Sequence, residues 1–175
     1  MVNSRKKGNK GERDVAKILE KWTGKKFARS PSSGGLSWKN SMAKGDVVCT
    51  TEGHYFPFCV ECKVRNDVTV INDLISSRKK APLLTEFWEQ CTRDARDAGK
   101  IPLLIFRYRG LPKGEWLVCV PQDIGLKLFP KVNHYISVKS QWGDFYLVST
   151  TSLLEVSYKH VKKTLKNNKK WLKNW

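Results

Sequence analysis

The residues most able to do chemistry in this sequence are Asp46, in Lys-Gly-Asp46-Val-Val, and Glu61 with Lys63, in Phe58-Cys-Val-Glu61-Cys-Lys63. Side chains alternate faces along a strand, so Phe58, Val60, Cys62 and Val64 are expected on one face, as core, and Glu61 beside Lys63 on the other. Asp46 opens a second apolar run, Val47-Val48-Cys49, and the turn region at Glu52-Gly53 folds that run back against the first. Two carboxylates and an ammonium then converge at adjacent strand ends. An isolated Glu-x-Lys is an ordinary solvated ion pair. The longer pattern of acid, apolar strand, turn, apolar strand and acid-x-Lys is more specific. Its carboxylates suit Mg2+, a hard cation that takes oxygen ligands, and its lysine can offset charge developing on a phosphate.

These residues resemble the PD-(D/E)XK nuclease superfamily, and over roughly residues 5 to 120 the motif order is most similar to its Holliday-junction resolvases of archaeal and phage type. The resemblance implies an α/β fold with a restriction-endonuclease-like core, a central mixed sheet flanked by helices, followed here by a C-terminal strand–helix extension. It implies a Mg2+- or Mn2+-dependent endodeoxyribonuclease in which Asp46 and Glu61 bind metal and Lys63 assists hydrolysis. The proline that precedes the first acid in that motif is replaced by Gly45.

The 175-residue length suits one domain, residues 1–120 forming the nuclease core with a basic arm and residues 121–175 an extension of it. The net charge of +17 points to a polyanionic partner, nucleic acid first and an anionic membrane surface second. No apolar run reaches the ~20 residues of a transmembrane helix, and the basic, polar start is unlike a signal peptide. Five cysteines without framework spacing agree with a cytoplasmic location, the host-cell cytoplasm for a phage-encoded protein. Cys59 and Cys62 match C-x-x-C, yet on a strand they face opposite ways and no second pair completes a zinc site.

Residues 1–10 read as a mobile basic arm, and Val15, Ile18, Leu19 and Trp22 as the apolar stripe of a helix from about Gly11 to Trp22. Glu12 lies near that stripe, either as a helix-start acid favoured by the macrodipole or as a third metal ligand. The resolvases supply such an acid from a similar first helix, here Lys10-Gly11-Glu12-Arg13, which favours the ligand role. Between Glu20 and Asp46 there is no acid, and Arg29-Ser30-Pro31-Ser32-Ser33-Gly34-Gly35 could cradle a phosphate or be a plain surface loop. The resemblance assigns Arg29, Ser30 and Ser33 to the scissile strand, Ser33 also to catalysis. Lys10, Arg13, Lys39 and Lys44 are further candidates for DNA contact, Trp38, Lys39 and Lys44 extending the loop into a flap.

Ile71, Leu74 and Ile75 suggest a short helical turn. A second helix is expected from about Thr85 to Ala98, stopped by Gly99, with Gln90 beside its inward stripe as either a solvated residue or, by resemblance, a catalytic one. Ile101–Phe106 and Glu115–Val120 are buried strand candidates, and Ile136-Ser-Val-Lys and Phe145-Tyr-Leu-Val are two more. Ser152-Leu-Leu-Glu155 has capping-box spacing, and beyond it Tyr158, Val161, Leu165, Leu172 and Trp175 form a stripe among seven lysines. That last helix suits a DNA backbone, open solvent or a membrane surface. Together these features lead to a DNA endonuclease, with resolution of four-way junctions by a homodimer expected from the resemblance. The alternatives are a nicking, restriction or repair nuclease and a non-catalytic basic DNA binder.

Overall fold

The computed structural model describes residues 4–30, 44–66 and 83–167. The chain runs α1 (Ser4–Thr23), β1 (Phe27–Arg29), β2 (Val47–Cys49), β3 (Phe58–Val64), α2 (Leu83–Asp97), β4 (Ile101–Arg107), β5 (Leu117–Pro121), α3 (Gln122–Leu128), β6 (Ile136–Val138), β7 (Phe145–Ser149), α4 (Thr150–Glu155) and α5 (Tyr158–Asn167). Among the described residues seven strands form one sheet in the order β1-β2-β3-β4-β5-β7-β6. Among these described strands only β3 and β4 are parallel, in the register Glu61↔Leu104 and Lys63↔Phe106, with α2 on the crossover that such a pair requires. This is the mixed α/β sheet flanked by helices that the sequence implied.

The two faces of β3 divide as alternation requires, core on one side and Glu61 beside Lys63 on the other, and the charged face is itself covered, Glu61 being buried and Lys63 half-buried. Phe58, Val60 and Cys62 belong to a core shared with Val15, Leu19 and Trp22 of α1, Ile124 and Leu128 of α3 and Leu153 of α4. On the other side Leu84, Phe87, Trp88 and Cys91 of α2 close over Leu104, Phe106, Cys119, Phe145 and Leu147. Glu61 and Lys63 follow the register of Leu104 and Phe106 and therefore lie on the α2 side.

The first helix is longer than its apolar stripe implies. It begins at Ser4, so the basic segment from Ser4 to Lys10 is helical rather than a loose arm. Lysine and arginine are good helix formers, and Lys7 bonds Asn66 just past β3, tying this turn to the sheet. Gly11 makes the contact close: a Cβ there would meet Val64 Cγ2 at 2.4 Å and Trp116 at 3.3 Å.

Past β5 the chain remains in the same sheet, β7 pairing with β5 and Tyr158, Val161 and Leu165 of α5 entering the α1-side core. The helix expected to start at Ser152 begins earlier, because Ser149 is its cap and accepts from the Ser152 N–H at 3.1 Å. The β-strand expected from Glu115 starts at Leu117; Glu115 instead accepts from the hydroxyls of Thr150 and Thr151. The helical turn at Ile71–Ile75 and the stripe residues Leu172 and Trp175 lie outside the described residues.

Candidate active site

Asp46 is set by backbone bonds on both sides. Its N–H donates to Val60 O at 2.8 Å, and its C=O accepts from Ser30 N–H at 2.8 Å. The carboxylate turns back toward β3, where Oδ2 accepts from the Cys62 N–H at 2.9 Å. Gly45 allows this entry, with φ +99° and an absent Cβ that would lie 2.7 Å from Val60 O. Proline, fixed near −65°, cannot adopt that angle, so the entry as it stands here requires the glycine.

Glu61 is 4 % exposed and pairs with Lys63, Oε1 to Nζ 2.5 Å. The same ammonium donates to Gln90 Oε1 of α2 at 2.9 Å, so Gln90 reaches the site from the helix expected to carry it. Burial, and next the charge of Asp46, push the Glu61 carboxyl up to about 7 against the opposing pull of Lys63. Asp46 is also raised, by burial first, with the Cys62 hydrogen bond pulling it down and the Glu12 charge pushing it further up. Strand, turn and strand thus bring Asp46, Glu61 and Lys63 together.

Glu12 approaches from the α1 side. It is 8 % exposed and ion-paired with Arg29 of β1, so the acid and the arginine expected in separate roles are partners. Among the described residues no three His, Cys, Asp or Glu side chains are close enough together to hold one metal ion. Lys44 pairs with Asp97 at the end of α2. Lys10 and Arg13 are exposed on α1, the latter donating through Nε to Asn9 O at 3.0 Å. Ser30 is 1 % exposed and lies beneath the site, next to the Asp46 backbone. Ser33, Lys39 and the proposed flap lie outside the described residues.

One acid is not evident from the sequence. Asp94 stands one helical turn beyond Gln90, and its charge adds to the upward shifts of Asp46, Glu61 and Cys59. The i, i+4 spacing from Gln90 is the available signal, although it takes the placement of α2 over β3 to make it meaningful. Cys59 and Cys62 are buried on opposite faces, and burial pushes the Cys59 thiol up to about 12, as befits unreactive strand residues.

A mixed sheet that presents acid, turn and acid-x-lysine between two helices is the arrangement of the PD-(D/E)XK nucleases. The chain belongs to the family described as "Phage putative PDDEXK endonuclease", whose model matches residues 3–175. It is also similar to Protein D14 of Escherichia phage T5, with 32% identity over 120 residues that make up 68% of this chain and 71% of that protein. No solved structure matches it. Membership makes the chain a nuclease by class, with DNA as its substrate and divalent metals as the usual cofactors of its superfamily. No helix among the described residues is long and apolar enough to cross a membrane.

Proposed function

We propose that this chain is a Mg2+-dependent endodeoxyribonuclease that resolves four-way junctions as a homodimer. The observation that carries the nuclease chemistry is the buried pair Asp46 and Glu61, both raised by burial and Glu61 further by the charge of Asp46, beside an ammonium held by Gln90. Buried carboxylates that repel one another are stabilised by a cation. Mg2+ takes one or two protein carboxylates together with waters and substrate phosphates, which is the donor set Asp46 and Glu61 offer. Mn2+ fits the same oxygen donors.

Asp46 and Glu61 would hold such a cation, which would supply Lewis-acid polarisation of a phosphate and ease deprotonation of water. The chain's own residues do the rest. The Cys62 N–H fixes one oxygen of Asp46 and leaves the other available. Lys63, oriented by Glu61 and Gln90, offsets the negative charge that grows on the phosphate as attack proceeds. Glu12 joins as a third acid when Arg29 leaves it for a DNA phosphate, and Lys10, Arg13, Ser33 and Lys39 carry further contacts to the strand.

Junction preference draws on the similarity to resolvases and on the net charge of +17, since a flat junction presents several backbones to one basic surface. Paired nicks need two active sites in one complex, which a two-fold dimer supplies. The test is incubation with Mg2+ and matched junction, duplex, flap and single-stranded DNA, together with the mass of the free protein. Paired nicks confined to the junction support the reading. Equal cleavage of duplex, or single nicks by a monomer, replaces it with a general nicking or repair nuclease using the same site.

A further inference from the structure

The charged row on β3 does not stop at Lys63. Residues two apart on a strand share a face at about 6.6–6.8 Å spacing, so Glu61, Lys63 and Arg65 stand in line. Arg65 lies one residue past β3 but keeps its place beside β4, its N–H donating to Arg107 O at 2.8 Å. Its guanidinium rests on the ring of Phe87 of α2, Cζ 4.9 Å from the centroid, and Lys63 Nζ lies 5.7 Å from the same centroid. That ring is buried, so it is a fixed platform for both cations.

How neighbouring cations are held separates Arg65 from them. Arg29 is engaged by Glu12, Lys44 by Asp97, Lys7 by Asn66, and Arg107 by the carbonyls of Leu111, Pro112 and Glu115. Arg65 is exposed and has no carboxylate or carbonyl partner for its side chain among the described residues. An aromatic face holds a guanidinium without using any of its N–H donors and without cancelling its charge. What remains is a planar fork of donors, aimed by a rigid ring, that matches a phosphate in bidentate fashion.

We propose that Arg65, positioned by Phe87, grips the phosphate adjacent to the scissile one and so sets which phosphodiester lies over Lys63. The proposal rests on the nuclease reading given above: Lys63 meets the scissile phosphate, and the next cation in the row meets its neighbour on a strand that carries one charge per nucleotide.

The experiment compares wild-type protein with Arg65→Gln on labelled duplex and four-way-junction DNA in Mg2+ at single turnover. In each substrate one phosphate is replaced by an uncharged methylphosphonate. For wild-type protein, cleavage at one bond beside the neutral linkage falls about 10- to 100-fold, the loss expected for a hydrogen bond to a charged group. Arg65→Gln shows a similar loss on unmodified DNA, carried by KM rather than kcat, and no further loss at that bond from the methylphosphonate. Phe87→Leu, which keeps the packing apolar while removing the ring, shifts KM in the same direction. An Arg65→Gln protein that cleaves unmodified DNA at the wild-type rate, or still loses activity at the same bond, overturns the proposal alone. Wild-type protein inert on both unmodified DNAs overturns the nuclease reading and this proposal with it.

Discussion

At the scale of single residues the account turns on how charge is held where water is excluded. Glu61 titrates near 7 in the folded chain, whereas an ordinary glutamate ionises around 4.5. Between those values the metal-free folded protein keeps a proton that the unfolded chain has released, so its stability falls as pH rises across the window. Thermal unfolding of metal-free wild type and Glu61→Gln between about pH 4.5 and 7.5 checks this: the wild type loses stability relative to the variant as pH rises, and parallel curves contradict the shift. With Glu61 as a metal ligand, as proposed, the same linkage predicts that Mg2+ binding releases protons and that apparent affinity rises through about pH 7. For Lys63→Ala, DNA binding is retained and cleavage falls by roughly 10²–10³-fold, the usual effect of removing one group that stabilises transition-state charge. Arg29→Gln weakens DNA binding yet strengthens Mg2+ binding in the absence of DNA, because Glu12 is then no longer committed; isothermal titration with Mg2+ reads that change directly.

Elements decide whether those residues meet. Gly45 lets the chain enter β2 hard against β3, and Gly45→Ala forces a side chain to φ +99° with its Cβ 2.7 Å from Val60 O. A cost of ~1–3 kcal/mol follows in denaturant titration, with cleavage falling further because Asp46 is displaced. A stability equal to wild type would show that this entry is not strained. Strand alternation was enough to place Glu61 beside Lys63, and the spacing of Leu84, Trp88 and Cys91 was enough to find α2 and put Gln90 near its inner stripe. Alternation could not show that the charged face is itself covered, because the cover comes from α2 after a crossover into a parallel pair. Nor could the apolar stripe of α1 disclose its first turns, where Lys7 is held by a polar tie to Asn66 rather than by burial. The cap at Ser149 was hidden for a related reason: Ser152 offers the capping-box sequence, but the end of β7 fixes where the helix can begin.

On the scale of the whole molecule, charge and core overlap at the C-terminal helix. Lys159, Lys162, Lys163 and Lys166 are exposed on α5, while Tyr158, Val161 and Leu165 are buried from the same helix. Truncation would therefore remove core as well as charge. Changing the four lysines to glutamine leaves the packing in place and flattens the salt dependence of DNA binding by about 0.9 in log–log slope for each phosphate that is no longer neutralised. An unchanged slope would make this helix a solvated face. Composition was sufficient to identify a polyanionic partner, since +17 on 175 residues leaves few other choices. It carries no geometry, so the form of the DNA has to be read from cleavage products.

The most direct test of the central claim is a side-by-side cleavage assay of wild type, Asp46→Asn and Glu61→Gln on supercoiled and junction DNA. It is run with Mg2+ and with chelator, alongside circular dichroism and DNA binding for each protein. Asp46 and Glu61 acting as the metal-holding pair predicts cleavage by the wild type in Mg2+ alone, none by either variant, and unchanged folding and DNA affinity in both. Near-normal cleavage by either variant in Mg2+, or cleavage by the wild type that persists in chelator, would contradict it.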